Sequence, residues 1–212
     1  MYKRQDVNTI QKQEEISDFN SEFLNSNIED WMERWDLEFG GDVAQQKFVS
    51  PSKYLFLLNY GRIYKDEKVL NHVKNTLDVI ASSGLNDFIE GGFYRYTVDN
   101  EWKIPHFEKM LYDQAQMISL FSMAYKVFGE QSYMDIVSNT ITFLNNKMSS
   151  SDGLYYAAMD ADTDGEEGKY YSYEMDELKM ISENTDFKLF LSYYNIDVEN
   201  PWEKNRLSLI HI

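Results

Sequence analysis

The fold is decided by the stretch Gly91-Gly-Phe-Tyr-Arg-Tyr-Thr-Val-Asp99, which continues after two residues as Trp102-Lys-Ile-Pro-His-Phe-Glu-Lys-Met-Leu-Tyr-Asp-Gln-Ala115. From Pro105 to Phe128, large side chains recur at alternating spacings of four and three, which predicts one long amphipathic helix. Pro105 suits the first position of such a helix, and Gly129 suits its end.

Outward from this helix, the same periodicity predicts further helices on both sides. With only 10 glycines and 3 prolines in 212 residues, the chain has room for long helices and few tight turns. We predict a short turn at Gly61 and an all-α fold with a small β-hairpin near residues 153–173. Including 105–128, there are seven predicted helices, the others being 18–36, 51–60, 66–82, 131–147, 174–183 and 186–194.

Three glycine-bearing aromatic segments separate the predicted helix pairs. They are Glu38-Phe-Gly-Gly41, Glu90-Gly-Gly-Phe-Tyr-Arg-Tyr96 and Asp152-Gly-Leu-Tyr-Tyr156. A recurrence every 50–60 residues, with two helices in each unit, is typical of a helical-hairpin array. The alternative is three unrelated glycine turns, because glycine is common after any helix.

The composition excludes several function classes. The chain has 36 acidic and 20 basic residues, a formal net charge of −16, which argues against a nucleic-acid partner and against an anionic membrane surface. It has no cysteine, so it carries no disulfide, thiolate metal site or thiol nucleophile. We predict a polar tail over residues 1–17, a helical domain over 18–212 and a cytoplasmic location.

The predicted helix 105–128 carries the first candidate site. On a helix, His106 and Asp113 are seven residues apart and share a face, with Lys109 between them. His106 is then an acid–base group near neutral pH, with Glu108 and Asp113 as further catalytic candidates. The alternative is a structural histidine near a helix N-terminus.

The second candidate is the acidic run Asp160-Ala-Asp-Thr-Asp-Gly-Glu-Glu-Gly168. Its first half matches a calcium loop, but Tyr171 stands where that loop needs a bidentate glutamate. Two other interpretations stay open, a solvated acidic turn and a set of catalytic carboxylates (Asp160, Asp162 and Glu166) that face a cavity. No metal and no cofactor is predicted.

Aromatic side chains are the third signal, because they are concentrated between the helices. Flat apolar faces beside polar groups suit a polyol ligand. We therefore predict that Tyr94, Tyr96 and Trp102 bind substrate, and that Arg95 and Lys109 hold an anionic or hydroxyl group. The alternative is that these aromatic residues fill the ends of the helical hairpins.

Residues 91–115 resemble the core of the spermatogenesis-associated protein 20 family, whose members are also described as YyaL-like. Asp160-Ala-Asp-Thr-Asp-Gly-Glu-Glu-Gly-Lys-Tyr-Tyr171 is similar to a second motif of that family, and the segment from Asp36 through Phe39-Gly-Gly41 to Lys47-Phe-Val-Ser-Pro51 resembles a third in weaker form. The resemblance implies a thioredoxin-like domain followed by an (α/α)6 toroid, related to six-hairpin glycosidases and sugar 2-epimerases.

We expect the chain to depart from that plan, because seven predicted helices do not close a ring of twelve and residues 1–17 are too few for a thioredoxin-like domain. It looks like an open arc of helical hairpins, the first half of the toroid, from a truncated or split coding sequence. Two functions stay open: an enzyme or relic enzyme acting on a sugar-like ligand, and a non-catalytic domain that binds a ligand or partner. The apolar C-terminal residues Leu207, Leu209, Ile210 and Ile212 predict self-association through an uncovered edge.

Overall fold

The computed structural model describes residues 20–181, 186–193, 196 and 207–208. The chain forms two compact units, one ending at Trp35 and the other beginning at Asp36. In the first unit, helix α1 spans Ser21–Met32, and the side chain of Asn20 caps it by accepting a hydrogen bond from the Phe23 amide at 2.9 Å. The predicted tail over residues 1–17 lies outside the described residues.

The second unit is built from helical hairpins. Helix α2 (Pro51–Tyr64) packs against α3 (Glu67–Ala81), α4 (Leu111–Phe128) packs against α5 (Gln131–Phe143), and α2 also contacts α4. Two shorter helices follow, α6 (Met175–Ile181) and α7 (Phe187–Tyr193). Fully buried side chains from all four long helices form the core, among them Leu57, Val73, Leu77, Phe121 and Tyr133. The predicted all-α fold is confirmed.

In the described part of the chain, eight two-residue strands lie between or after the helices, and all are paired antiparallel. Strand β1 (Tyr96–Thr97) pairs with β2 (Pro105–His106), and β3 (Lys109–Met110) pairs with β4 (Ala158–Met159). Strands β5 (Asp162–Thr163) and β6 (Glu166–Glu167) form the hairpin predicted near residues 153–173, and β7 (Ser172–Tyr173) pairs with β8 (Leu207–Ser208). The inter-helix segments therefore contact one another.

Two predicted helix boundaries are wrong. Residues 105–110 are extended, because they pair with β1 and β4, so α4 begins at Leu111 and not at Pro105. Gly61 makes no turn but lies buried inside α2, where a Cβ atom would stand 2.8 Å from Leu70 Cγ of α3. Glycine is needed there for the close approach of two helices rather than for a chain reversal.

In the described part of the chain, no helix is both long and apolar enough to cross a membrane. Of the apolar C-terminal residues, 209–212 and the side chain of Leu207 lie outside the description, so self-association stays a prediction.

Candidate functional site

The turn Asp87–Gly92 precedes the candidate site and has a defined set of hydrogen bonds. Asp87 Oδ1 accepts from the amides of Ile89 and Glu90, and the Asp87 amide donates to the Gly92 carbonyl at 2.9 Å. Gly91 and Gly92 have φ values of +87° and +79°, which other residues rarely adopt. The ammonium of Lys109 closes the turn by donating to Asp87 Oδ2 and to the Gly91 carbonyl, at 2.6 and 2.9 Å.

The same arrangement occurs earlier in the chain, in the turn Asp36–Gly41. Asp36 Oδ1 accepts from the amides at 38 and 39, and the Asp36 amide donates to the Gly41 carbonyl at 2.9 Å. Lys47 donates to Asp36 and to the Gly40 carbonyl, both at 2.6 Å. Two of the three predicted repeats are therefore structural repeats, whereas the third is a different turn, in which the Ser150 amide donates to the Leu154 carbonyl.

Three residues predicted to bind substrate lie in the interior. Trp102 is fully buried and donates from Nε1 to the Phe39 carbonyl at 2.9 Å. Tyr94 is buried, and its hydroxyl donates to Asp87 Oδ2 at 3.1 Å. Lys109 is also fully buried; burial lowers the pKa of its ammonium, and the Asp87 carboxylate opposes that shift. Trp102 and Lys109 are therefore held in the interior by these contacts.

A cavity of about 250 Å³ lies where the N-termini of α2 and α4 meet the segment after Gly92. We call it the Asp113 cavity. It is lined by Phe48, Val49, Ser50, Pro51, Phe93, Tyr94, Arg95, Tyr112, Asp113, Gln116 and Met117. Ser50, at the start of α2, has a left-handed backbone with φ +50°, which is uncommon for a residue other than glycine and is often found at functional sites.

Asp113 is the unusual group in this cavity. Its Oδ2 atom is buried and accepts no hydrogen bond from the described residues. Burial raises the pKa of Asp113 to about 6, a shift that Arg95 opposes and Glu108 supports. Near pH 6 the carboxyl group is therefore divided between its protonated and ionised forms, as an acid–base group should be.

Arg95 connects the cavity to a chain of polar side chains. Its guanidinium donates to Glu108 Oε2 at 3.0 Å. The same oxygen lies 4.0 Å from His106 Nε2, and His106 Nδ1 lies 2.6 Å from Glu167 Oε1. Tyr96 stacks on the imidazole with ring centroids 4.9 Å apart, so the ring is held on one face and at one edge.

His106 and Asp113 do not share a helix face, contrary to the sequence prediction. His106 lies on β2 and Asp113 in the first turn of α4, so neither Lys109 nor a helix dipole connects them. Glu108 likewise belongs to the extended segment and not to a helix, and its carboxylate pairs with Arg95 at 3.0 Å. The two groups are related through Arg95 and Glu108.

The acidic run is mostly exposed. Asp160, Asp162 and Glu166 are exposed and do not line the Asp113 cavity; Asp160 Oδ1 accepts from the Asp162 amide at 3.1 Å. Among the residues that the structure describes, no cluster of three or more His, Cys, Asp or Glu could hold a metal ion. Within the run, Glu167 reaches another candidate, His106, at 2.6 Å.

The sequence did not single out Glu167, nor the cavity wall formed by Phe48 and Ser50. Residues 47–51 belong to the weakest of the three family motifs, and that motif was the sequence feature that could have indicated this wall of the cavity. Asp87 was also missed, although it precedes Gly91-Gly92 by the same spacing as Asp36 precedes Gly40-Gly41.

No protein-family model matches the sequence. Mouse spermatogenesis-associated protein 20 is 34% identical over 159 residues, which cover 70% of this chain and 20% of the mouse protein. The human protein of that name gives the same identity and the same shares. The chain therefore spans about a fifth of the length of the curated relatives it matches.

Among solved structures, a sugar epimerase from a ruminal bacterium has a TM-score of 0.57 at 22% identity, over 74% of this chain and 44% of the epimerase. Cellobiose 2-epimerase from Bacillus thermoamylovorans has a TM-score of 0.56 at 15% identity, over 87% of this chain and 57% of that one. These identities show the fold alone, the (α/α)6 toroid of six-hairpin proteins. Because about a third of its aligned residues are identical to those of the mouse and human proteins, the chain belongs to the spermatogenesis-associated protein 20 family.

Proposed function

We propose that the Asp113 cavity binds a carbohydrate and that Asp113 exchanges a proton with it. The observation that carries the proposal is the Asp113 carboxyl group, whose Oδ2 is buried without a partner in a cavity and whose pKa is raised to about 6. A sugar hydroxyl or ring oxygen can both accept from and donate to such a carboxyl group.

The walls of the cavity suit the same ligand class. Phe48 and Tyr112 are about half exposed and offer apolar faces, while Arg95, Ser50 and Gln116 offer polar groups. Aromatic faces with a few polar side chains bind sugars because each ring has an apolar face and a polar edge. The neighbouring folds, named as sugar epimerases and a family 76 glycoside hydrolase, support this ligand class.

His106 has a separate part in the proposal. Glu167 Oε1 accepts a hydrogen bond from His106 Nδ1, which leaves Nε2 on the side of Glu108 and Arg95. A ligand that extends from the Asp113 cavity past Arg95 then meets the Asp113 carboxyl group at one end and the His106 imidazole at the other. This pair suits proton transfer at a sugar carbon next to a carbonyl group.

A non-catalytic binding domain is the second candidate, favoured by the exposure of Asp160, Asp162 and Glu166. In that case the Asp113 cavity holds a ligand without turning it over. A cytoplasmic location and the absence of a nucleic-acid partner stay predictions from the composition.

The test uses the 212-residue chain with cellobiose in D2O, followed by NMR. A change in the chemical shifts of the chain reports binding, and loss of the proton signal at C2 of the reducing sugar reports proton abstraction. Methyl β-cellobioside, which cannot open its reducing ring, separates the two: it binds but does not exchange. We expect binding of both sugars and exchange in cellobiose alone.

The matched variants are Asp113→Asn and Asp162→Asn. Both remove one carboxylate, from the cavity and from the exposed hairpin respectively. Asp113→Asn should weaken binding at least tenfold and stop exchange, while Asp162→Asn should leave both within twofold. Equal effects of the two changes, or normal binding by Asp113→Asn, would reject the Asp113 cavity as the site, and binding without exchange would favour the second candidate.

A further inference from the structure

A second cavity, of about 290 Å³, lies around Glu90 and shares no lining residue with the Asp113 cavity. We call it the Glu90 cavity. It is lined by Asp87, Ile89, Glu90, Tyr170, Tyr171 and Tyr173. Its volume is just below the usual range for ligand pockets, about 300–1,000 Å³. The size suits one small ring rather than a chain of sugars.

Glu90 has one satisfied oxygen and one unsatisfied oxygen. Its Oε1 accepts from Lys147 Nζ and from the Tyr170 hydroxyl, both at 2.6 Å. Its Oε2 is buried and has no hydrogen-bond partner among the described residues. A buried carboxylate oxygen without a donor is costly, so this atom is an acceptor that a ligand can satisfy.

The turn itself does not require a glutamate at this position. In the matching turn Asp36–Gly41, the residue three after the aspartate is Phe39, and the same hydrogen bonds form around it. In the second turn the same position, Glu90, carries a largely buried carboxylate instead. The backbone geometry of the turn therefore does not explain why the residue at position 90 is charged.

The local charges favour a neutral donor. Glu90 is already paired with Lys147, and Asp87 is paired with Lys109, each at 2.6 Å. The charges of these two ion pairs already balance, so a cation in the cavity would add an uncompensated positive charge. A hydroxyl group donates a hydrogen bond to Glu90 Oε2 without adding charge. The remaining walls are aromatic or aliphatic, with Ile89 and Tyr170 about half exposed at the rim.

We propose that the Glu90 cavity binds a neutral, polyhydroxylated ring ligand, with a ring hydroxyl donating to Glu90 Oε2 and an apolar ring face against Tyr170 and Tyr173. This proposal does not rest on the proposed function, because it requires neither Asp113 nor His106.

The test is an NMR titration of the chain carrying ¹³C-labelled tyrosine rings, with the Tyr170 and Tyr173 signals assigned from Tyr170→Phe and Tyr173→Phe. The probes are methyl α-D-glucopyranoside, myo-inositol and tetramethylammonium, each up to about 50 mM, which saturates a site with a Kd of a few millimolar. We expect one or both polyols to shift the Tyr170 and Tyr173 signals, and tetramethylammonium to leave them unchanged.

Glu90→Gln should weaken polyol binding at least tenfold. Its matched control, Glu130→Gln, also removes a carboxylate paired with a lysine, Lys74 at 3.1 Å, and should change the affinity less than twofold. Asp113→Asn should not change it either, which separates this site from the Asp113 cavity. Shifts caused by tetramethylammonium alone, no shifts with any probe, or equal affinity in Glu90→Gln would each overturn the proposal.

Discussion

The ammonium of Lys109 lies 2.6 Å from Asp87 Oδ2, and both side chains are closed off from solvent. The rings of Tyr94, Phe143 and Tyr171 surround the ammonium, with centroids 4.4 to 5.3 Å away. The equivalent pair, Lys47 and Asp36, closes the earlier turn. One buried ion pair therefore fixes each double-glycine turn and the segment that follows it.

Lys109→Met should destabilise the chain strongly, because it leaves the Asp87 carboxylate buried without its counter-ion. Removing one partner of a buried ion pair costs about 3–5 kcal/mol. The measurement is urea unfolding followed by circular dichroism. Lys179→Ala, which removes an exposed ion pair with Asp176, should cost no more than about 0.5 kcal/mol. A loss below about 1 kcal/mol for Lys109→Met would contradict the role given to this pair.

Gly92→Ala should be more destabilising than Gly153→Ala. Both glycines have φ +79°, so both changes carry the cost of a left-handed alanine, about 1–2 kcal/mol. At Gly92 a Cβ atom would also stand 2.6 Å from Phe143 Cδ1, whereas at Gly153 it meets nothing within 4 Å. We expect Gly92→Ala to cost about 1–3 kcal/mol more than its control by urea unfolding. Equal losses would show that the close contact relaxes freely.

Asp113→Asn should stabilise the chain at pH 7 and not at pH 4. The pKa of Asp113 is raised to about 6 in the folded chain, above its ordinary 3.8. Between these values the folded state holds a proton that the unfolded state releases, so the free energy of unfolding falls as the pH rises from 4 to 6. Asparagine does not ionise, and we expect a gain of about 1 kcal/mol at pH 7, since solvent screens part of a half-buried charge. Urea unfolding at both pH values measures it, and a gain of equal size at pH 4 would be inconsistent with this account.

Glu167→Ala should change the tautomer of His106. In the wild type, neutral His106 should carry its proton on Nδ1, because Glu167 accepts there at 2.6 Å. Without Glu167, the proton should redistribute between the two ring nitrogens, which ¹⁵N chemical shifts of the imidazole report directly. Glu166→Ala, one residue earlier on β6, should leave the tautomer unchanged. An Nε2 proton in the wild-type chain would remove the proposed base.

The helices could largely be predicted because each depends on its own apolar periodicity, as in 66–82 and 131–147, which match α3 and α5 to within a few residues. The start of α4 could not be predicted in this way. The local pattern at Pro105 fits a helix. Residues 109–110 are extended instead because they pair with Ala158–Met159, about fifty residues later in the chain. The same limit applies to the site. Which of two adjacent carboxylates, Glu166 or Glu167, reaches His106 depends on side-chain alternation along a two-residue strand, and the sequence shows only that both are acidic.

Tyr94 joins the two cavities through a single side chain. Tyr94 lines the Asp113 cavity, and its hydroxyl donates to Asp87, which lines the Glu90 cavity. A ligand that displaces this ring from one side also changes the hydrogen bonding of Asp87 on the other. Occupancy of the two cavities is then thermodynamically linked, and whatever factor one ligand imposes on the affinity of the second is imposed in return on the first.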